Sequence, residues 1–104
     1  MRMMRGDAYN LPISISTDIG NANAESFKEV EVCIGNGIRK TLSSGEIKFD
    51  SERSLFLVPL TQKETFSLRG RARVNVRCKY ASGDVIGIDL GIIEFSPALS
   101  REVL

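Results

Sequence analysis

The sequence predicts an all-β domain, an antiparallel β-sandwich or small barrel of about seven strands with one or two single-turn helices. Three observations carry this. Apolar residues recur at every second position in segment after segment, turn residues break those segments about every 8 to 12 residues, and no stretch shows a sustained helical period. The chain has 104 residues, 42% hydrophobic and 26% charged, which is globular composition and excludes disorder, collagen and coiled coil. Folding a chain of this size removes roughly 65% of its extended surface from water, enough for one core. One domain over 1–104 is expected, with 1–7 a flexible N-terminal segment and 97–104 a short C-terminal tail.

The elements follow in order. Tyr9, Leu11, Ile13 and Ile15 alternate with Asn10, Ser14 and Ser16, and Pro12, which has no N–H to give a ladder, places this strand at a sheet edge or turns its missing donor outward. Thr17 to Asn23 is turn chemistry, and Ala24 to Phe27 suits one helical turn. Val30, Val32 and Ile34 then alternate up to Gly35-Asn36-Gly37, a tight-turn sequence that should send Ile38 to Leu42 back antiparallel through positive φ at Asn36 and Gly37. Ser43-Ser44-Gly45 and Asp50 to Arg53 make two more short connections, around Glu46 to Phe49 and before Leu55 to Leu60, so this stretch reads as a meander. Thr61 and Glu64 have the spacing of a capping box, predicting a helical turn through Thr65 or Phe66. Ala72, Val74, Val76, Cys78 and Tyr80 alternate with Arg71, Arg73, Asn75, Arg77 and Lys79, the clearest strand in the chain. Beyond Ser82-Gly83-Asp84, Ile86, Ile88, Leu90 and Ile92 stay in phase until Gly87, Gly91 and Ile92-Ile93 blur the pattern, as a bulge would.

Composition narrows function more than it names it. The net charge is +1 and the pI about 7.8, so no global field concentrates a polyanion. Histidine is absent, which removes Ser-His-Asp and Cys-His nucleophiles and the histidine-bearing zinc sites. Cys33 and Cys78 are too few for a zinc site and read as two small buried hydrophobes, with a disulfide or a reactive thiol as the alternative. The glycines lack the lysine and hydroxyl of a phosphate loop, and no cofactor is expected. No window has the length of a membrane span, and the N-terminus lacks the apolar core of a secretory leader.

Candidate residues remain. Arg69, Arg71, Arg73, Arg77 and Lys79 put five cations and no acid into eleven residues, leaving nine cations against thirteen carboxylates elsewhere. At least four of them share one strand face, which would suit an acidic partner subunit or phosphates, or be a solvated face that discourages stray edge pairing. No aromatic residue interleaves with them to stack on bases, which disfavours nucleic acid. Glu29 and Glu31 share a strand face, but a chain this short has little room for the cleft a carboxylate pair would need. Arg5-Gly6-Asp7 spells the integrin-binding tripeptide, a string that recurs by chance and here leads into the first strand.

The segments Arg5 to Ile13, Glu29 to Gly35, Val58 to Phe66 and Tyr80 to Gly87, with the closing Leu99-Ser100, carry a resemblance along the length of the chain. The chain resembles small proteins encoded in the structural modules of tailed phages and prophages of Firmicutes. Its opening Arg-Gly-Asp and alternating strand are similar to the immunoglobulin-like N-terminal domain of phage baseplate upper proteins. The resemblance implies an immunoglobulin-like β-sandwich that is a non-enzymatic tail, baseplate or head-tail component. Its partners would be other phage structural proteins or further copies of itself, in the virion or in the bacterial cytoplasm during assembly. The resemblance brings no site residues. The alternative expectation is an accessory carbohydrate- or host-surface-binding module, which would present a row of exposed aromatic rings.

Overall fold

The computed structural model describes residues 2–17, 20–21, 26–68 and 70–96. The fold is all-β, with β1 (Arg2–Met4), β2 (Tyr9–Ile13), β3 (Ser16–Thr17), β4 (Gly20–Asn21), β5 (Phe27–Ile34), β6 (Ile38–Thr41), β7 (Lys48–Asp50) and β8 (Leu55–Leu60), then one helix, α1 (Gln62–Ser67), and finally β9 (Gly70–Tyr80) and β10 (Val85–Ser96). The large sheet has the order β1-β10-β9-β5-β6 and curls into a half-barrel; the second has the order β2-β8-β7, and β3 pairs only with β4. All these pairs are antiparallel except β1 with β10, which is parallel.

One apolar cluster joins the two sheets. Val30, Val32 and Ile34 of β5 and Ala72, Val74, Val76 and Cys78 of β9 face Leu11 and Ile13 of β2 and Phe56, Val58 and Leu60 of β8. Phe56, fully buried, takes Phe27 from the large sheet at 6.1 Å between ring centroids and Phe49 from its own sheet at 4.9 Å. Pro12 costs no ladder bond in the interior of a sheet, because β2 is an edge strand.

Several expectations change. Residues 2–4, assigned to a flexible segment, pair with Glu94 to Ser96 as β1. The expected meander breaks after β6: the chain turns at Leu42 to Gly45, Ile47 N–H bonds the Thr41 carbonyl, and the buried Ile47 side chain leads β7 into the other sheet. The β5–β6 connection is three residues long, with Ile34 opposite Ile38, so the positive φ falls on Gly35 (59°) rather than on Asn36 and Gly37. Phe27 opens β5 instead of closing a helical turn, and residues 24 and 25 lie outside the described residues, as does the tail 97–104.

The capping box forms. Thr61 Oγ1 accepts from Glu64 N–H at 3.2 Å, Glu64 Oε1 accepts from Thr61 N–H at 3.0 Å, and α1 runs to Ser67. No helix among the described residues is long and apolar enough to cross a membrane.

Candidate interaction interface

The basic strand lies where its alternation placed it. Arg71, Arg73, Arg77 and Lys79 are exposed on the outer face of β9, and Arg69 lies outside the described residues. Neighbouring strands answer these charges. Arg71 reaches Glu94 at 3.4 Å, Arg73 reaches Asp89 at 3.7 Å, and Arg77 Nε donates to Glu31 Oε1 at 3.0 Å. Glu31 also accepts from Arg39 Nε of β6 at 2.5 Å, so one carboxylate bridges three strands. The Arg39 hydrogen bond, aided by Arg77, outweighs partial burial and holds the Glu31 carboxyl below its ordinary pKa. Lys79 stands opposite Glu29, which is turned away to accept from the Ser43 backbone N–H at 2.9 Å and from the Ser43 hydroxyl. Five cations (Arg39, Arg71, Arg73, Arg77, Lys79) thus mix with four carboxylates (Glu29, Glu31, Asp89, Glu94) on that face. Charge that is polarised along the chain is interleaved in space, and an ion-pair ladder of this exposure adds little stability.

The other sequence candidates resolve similarly. Cys78 is core, but Cys33 is half-buried on the outer face, not a buried hydrophobe; it has the parity of Glu31, to which its Sγ donates at 3.7 Å. Burial pushes both thiols up, Cys33 with help from the Glu31 charge, away from the reactive thiolate. Arg5-Gly6-Asp7 is tied down rather than displayed. Arg5 donates from Nε (3.2 Å) and Nη2 (2.5 Å) to the Phe66 carbonyl, Gly6 N–H donates to Thr65 Oγ1 at 2.9 Å, and Asp7 Oδ2 accepts from Met4 N–H at 2.9 Å. Of the aromatic rings, Phe27, Phe56 and Phe95 are buried and Phe49, Phe66 and Tyr80 half-buried, so the described side chains form no exposed aromatic row.

What sequence reasoning missed is on β10. Ile86 and Ile88 stand opposite Cys78 and Val76 and so face the core side, yet they are 48% and 38% exposed. A bulge between Asp89 and Gly91 inserts Leu90, 44% exposed; Gly91 takes φ 98° and donates its N–H to Asp89 Oδ1 at 2.9 Å. The extra residue reverses the phase, so that Ile93 and Phe95 become core while Ile92 turns outward. With Val85, this makes five large apolar side chains exposed along eight residues of one strand. Among the described residues the edge beside them is unpaired, because β1 covers β10 only from Glu94 to Ser96. Between that edge and β2 lies a groove of about 250 Å³, lined by Leu11, Pro12, Ile13, Val74, Leu90 and Ile93 among others.

No protein-family model, no curated protein and no solved structure matches the chain.

Proposed function

We propose that this protein is a non-enzymatic assembly component that works by protein–protein contact through the open apolar edge of β10. One observation carries the reading: five large apolar side chains, each between 38% and 57% exposed, lie along Val85 to Ile92 of β10, Ile86 and Ile88 on its core-side face and Val85 and Ile92 on its outer face, beside the stretch of edge that β1 leaves unpaired among the described residues. Burying such a side chain completely is worth roughly 1.5 to 3 kcal/mol, so covering the half-exposed strip contributes roughly 1 kcal/mol per residue, gained only when a partner docks. Exposed apolar side chains beside an unpaired strand edge are also a feature that monomeric proteins suppress.

The setting proposed for this contact is the structural module of a tailed phage, in tail, baseplate or head-tail junction, and it rests on the sequence resemblance. The finer fold reading belongs with it. What supports an immunoglobulin-like sandwich is that β10-β9-β5-β6 follows the order GFCC′ with β1 added parallel beside G, that β2-β8-β7 follows BED, and that a short helix precedes the strand equivalent to F. The chain departs from antibody domains in having no tryptophan and no inter-sheet disulfide, its two free cysteines both lying in the large sheet. A sugar-binding surface is disfavoured by the inward-facing rings, and a nucleic-acid surface by the carboxylates that answer the β9 cations.

The test is incorporation into particles. In virions purified after induction of a host that carries the gene, the unsubstituted protein should be detected and an Ile86→Lys, Ile88→Lys variant of equal stability should be lost. Absence of the unsubstituted protein from particles, or undiminished incorporation of the variant, contradicts the proposal.

A further inference from the structure

Building on the reading of β10 as the contact edge, we infer that its occupant is a second copy of this chain, added antiparallel about a two-fold axis through Gly87, so that the large sheets of two protomers become one. The hydrogen-bond phase of the hairpin permits this. Tyr80 N–H donates to the Asp84 carbonyl at 2.9 Å. Hydrogen-bonded and non-hydrogen-bonded pairs alternate along an antiparallel ladder. With Val85 opposite Lys79, Gly87 opposite Arg77 and Asp89 opposite Asn75, the N–H and C=O groups of Val85, Gly87 and Asp89 therefore point away from β9 toward the open edge.

Positions 85–89 are complementary to themselves. A two-fold at Gly87 sets Gly87 against its own copy, with no side chain on the axis, and Val85 against the partner's Asp89. Ile86 then meets the partner's Ile88 on the inner face, covering side chains that are half-exposed in the protomer. On the outer face Lys79 flanks Val85 and so reaches the partner's Asp89. Lys79 is the described β9 cation that has no ion pair among the described residues. The window ends before the Leu90 bulge, so the paired stretch is regular.

The remaining edges argue by contrast. β6 carries Arg39 and Lys40, β7 is three residues with Lys48 and Asp50, β2 contains Pro12, and β1 is three residues long. Each bears a device that discourages strand addition, whereas residues 85–89 hold one charge and no proline. An edge left unguarded on both faces, with matched apolar and charged positions, is an isologous interface.

Light scattering over a concentration series, combined with cross-linking of Gly87→Cys under mild oxidation, tests this. A hydrogen-bonded antiparallel pair has its Cα atoms about 5.5 Å apart, within disulfide range. The expected result is a dimer that dissociates on dilution, a Gly87→Cys chain that becomes a covalent dimer, and no cross-link in the unsubstituted chain, which controls for Cys33. Gly87→Pro removes an outward N–H and no bond to β9, fixes φ in the extended region of an edge, and should be a monomer with unchanged circular dichroism. A monomer at every concentration, or a dimer that Gly87→Cys fails to cross-link, overturns the inference. A monomer that still enters particles through Ile86 and Ile88 overturns the second copy and leaves the assembly reading intact; a cross-linked dimer missing from particles does the reverse.

Discussion

Thr65 shows how single side chains hold the N-terminal segment in place. It is fully buried; its hydroxyl donates to the Asp7 carbonyl at 2.7 Å and accepts from Gly6 N–H at 2.9 Å. Gly6 is required beside it, since its φ is 92° and a Cβ there would stand 2.6 Å from Phe66 Cζ. Thr65→Val keeps the shape of the side chain but strands a donor and an acceptor, and should cost about 1–3 kcal/mol in urea unfolding. A loss below about 0.5 kcal/mol would mean that water replaces both bonds. The sequence displays Arg5-Gly6-Asp7 as a motif; only the fold shows its arginine and backbone spent on α1, because Thr65 and Phe66 are some sixty residues away. Cys33 was readable from its own strand, where it shares the parity of Glu31 rather than of Val32.

Among the elements, β9 was legible and β10 was not, for a physical reason. The alternation of β9 is unbroken, and both of its neighbours pair along it, so parity and burial coincide. In β10 one inserted residue reverses parity at Leu90, and before the bulge the core-side residues Ile86 and Ile88 stay 48% and 38% exposed. Periodicity reports which face a residue is on, not whether a second sheet covers that face. The partners of the basic strand were hidden in the same way, since Glu31, Asp89 and Glu94 reach it only across the ladder. The two halves of β10 should therefore respond differently to the same substitution. Ile93→Ala, at 2% exposure, should cost about 2–4 kcal/mol, whereas Ile88→Ala should cost less than about 1 kcal/mol in the dissociated protein. Equal costs by denaturant unfolding at low concentration would place Ile88 in the core and remove the strip.

At the scale of the molecule, the described residues form an apolar core, an interleaved charged face and an unguarded stretch of edge on β10. The core sets the fold, and the ion-pair ladder leaves the outer face of the large sheet with no strong field of either sign. The edge at Val85 to Asp89 is left as the surface with both unmet backbone bonds and uncovered apolar area. Association there should rest on apolar burial and strand pairing, with salt acting only weakly. Amide hydrogen exchange at Val85, Gly87 and Asp89, measured at dilution and in the associated state, addresses this most directly. Exchange at these three should be fast at dilution, while the amides of Ile86 and Ile88, bonded to β9, are protected; in the associated state all five should be slow. Fast exchange at Val85, Gly87 and Asp89 in the associated state would show that partners bind elsewhere.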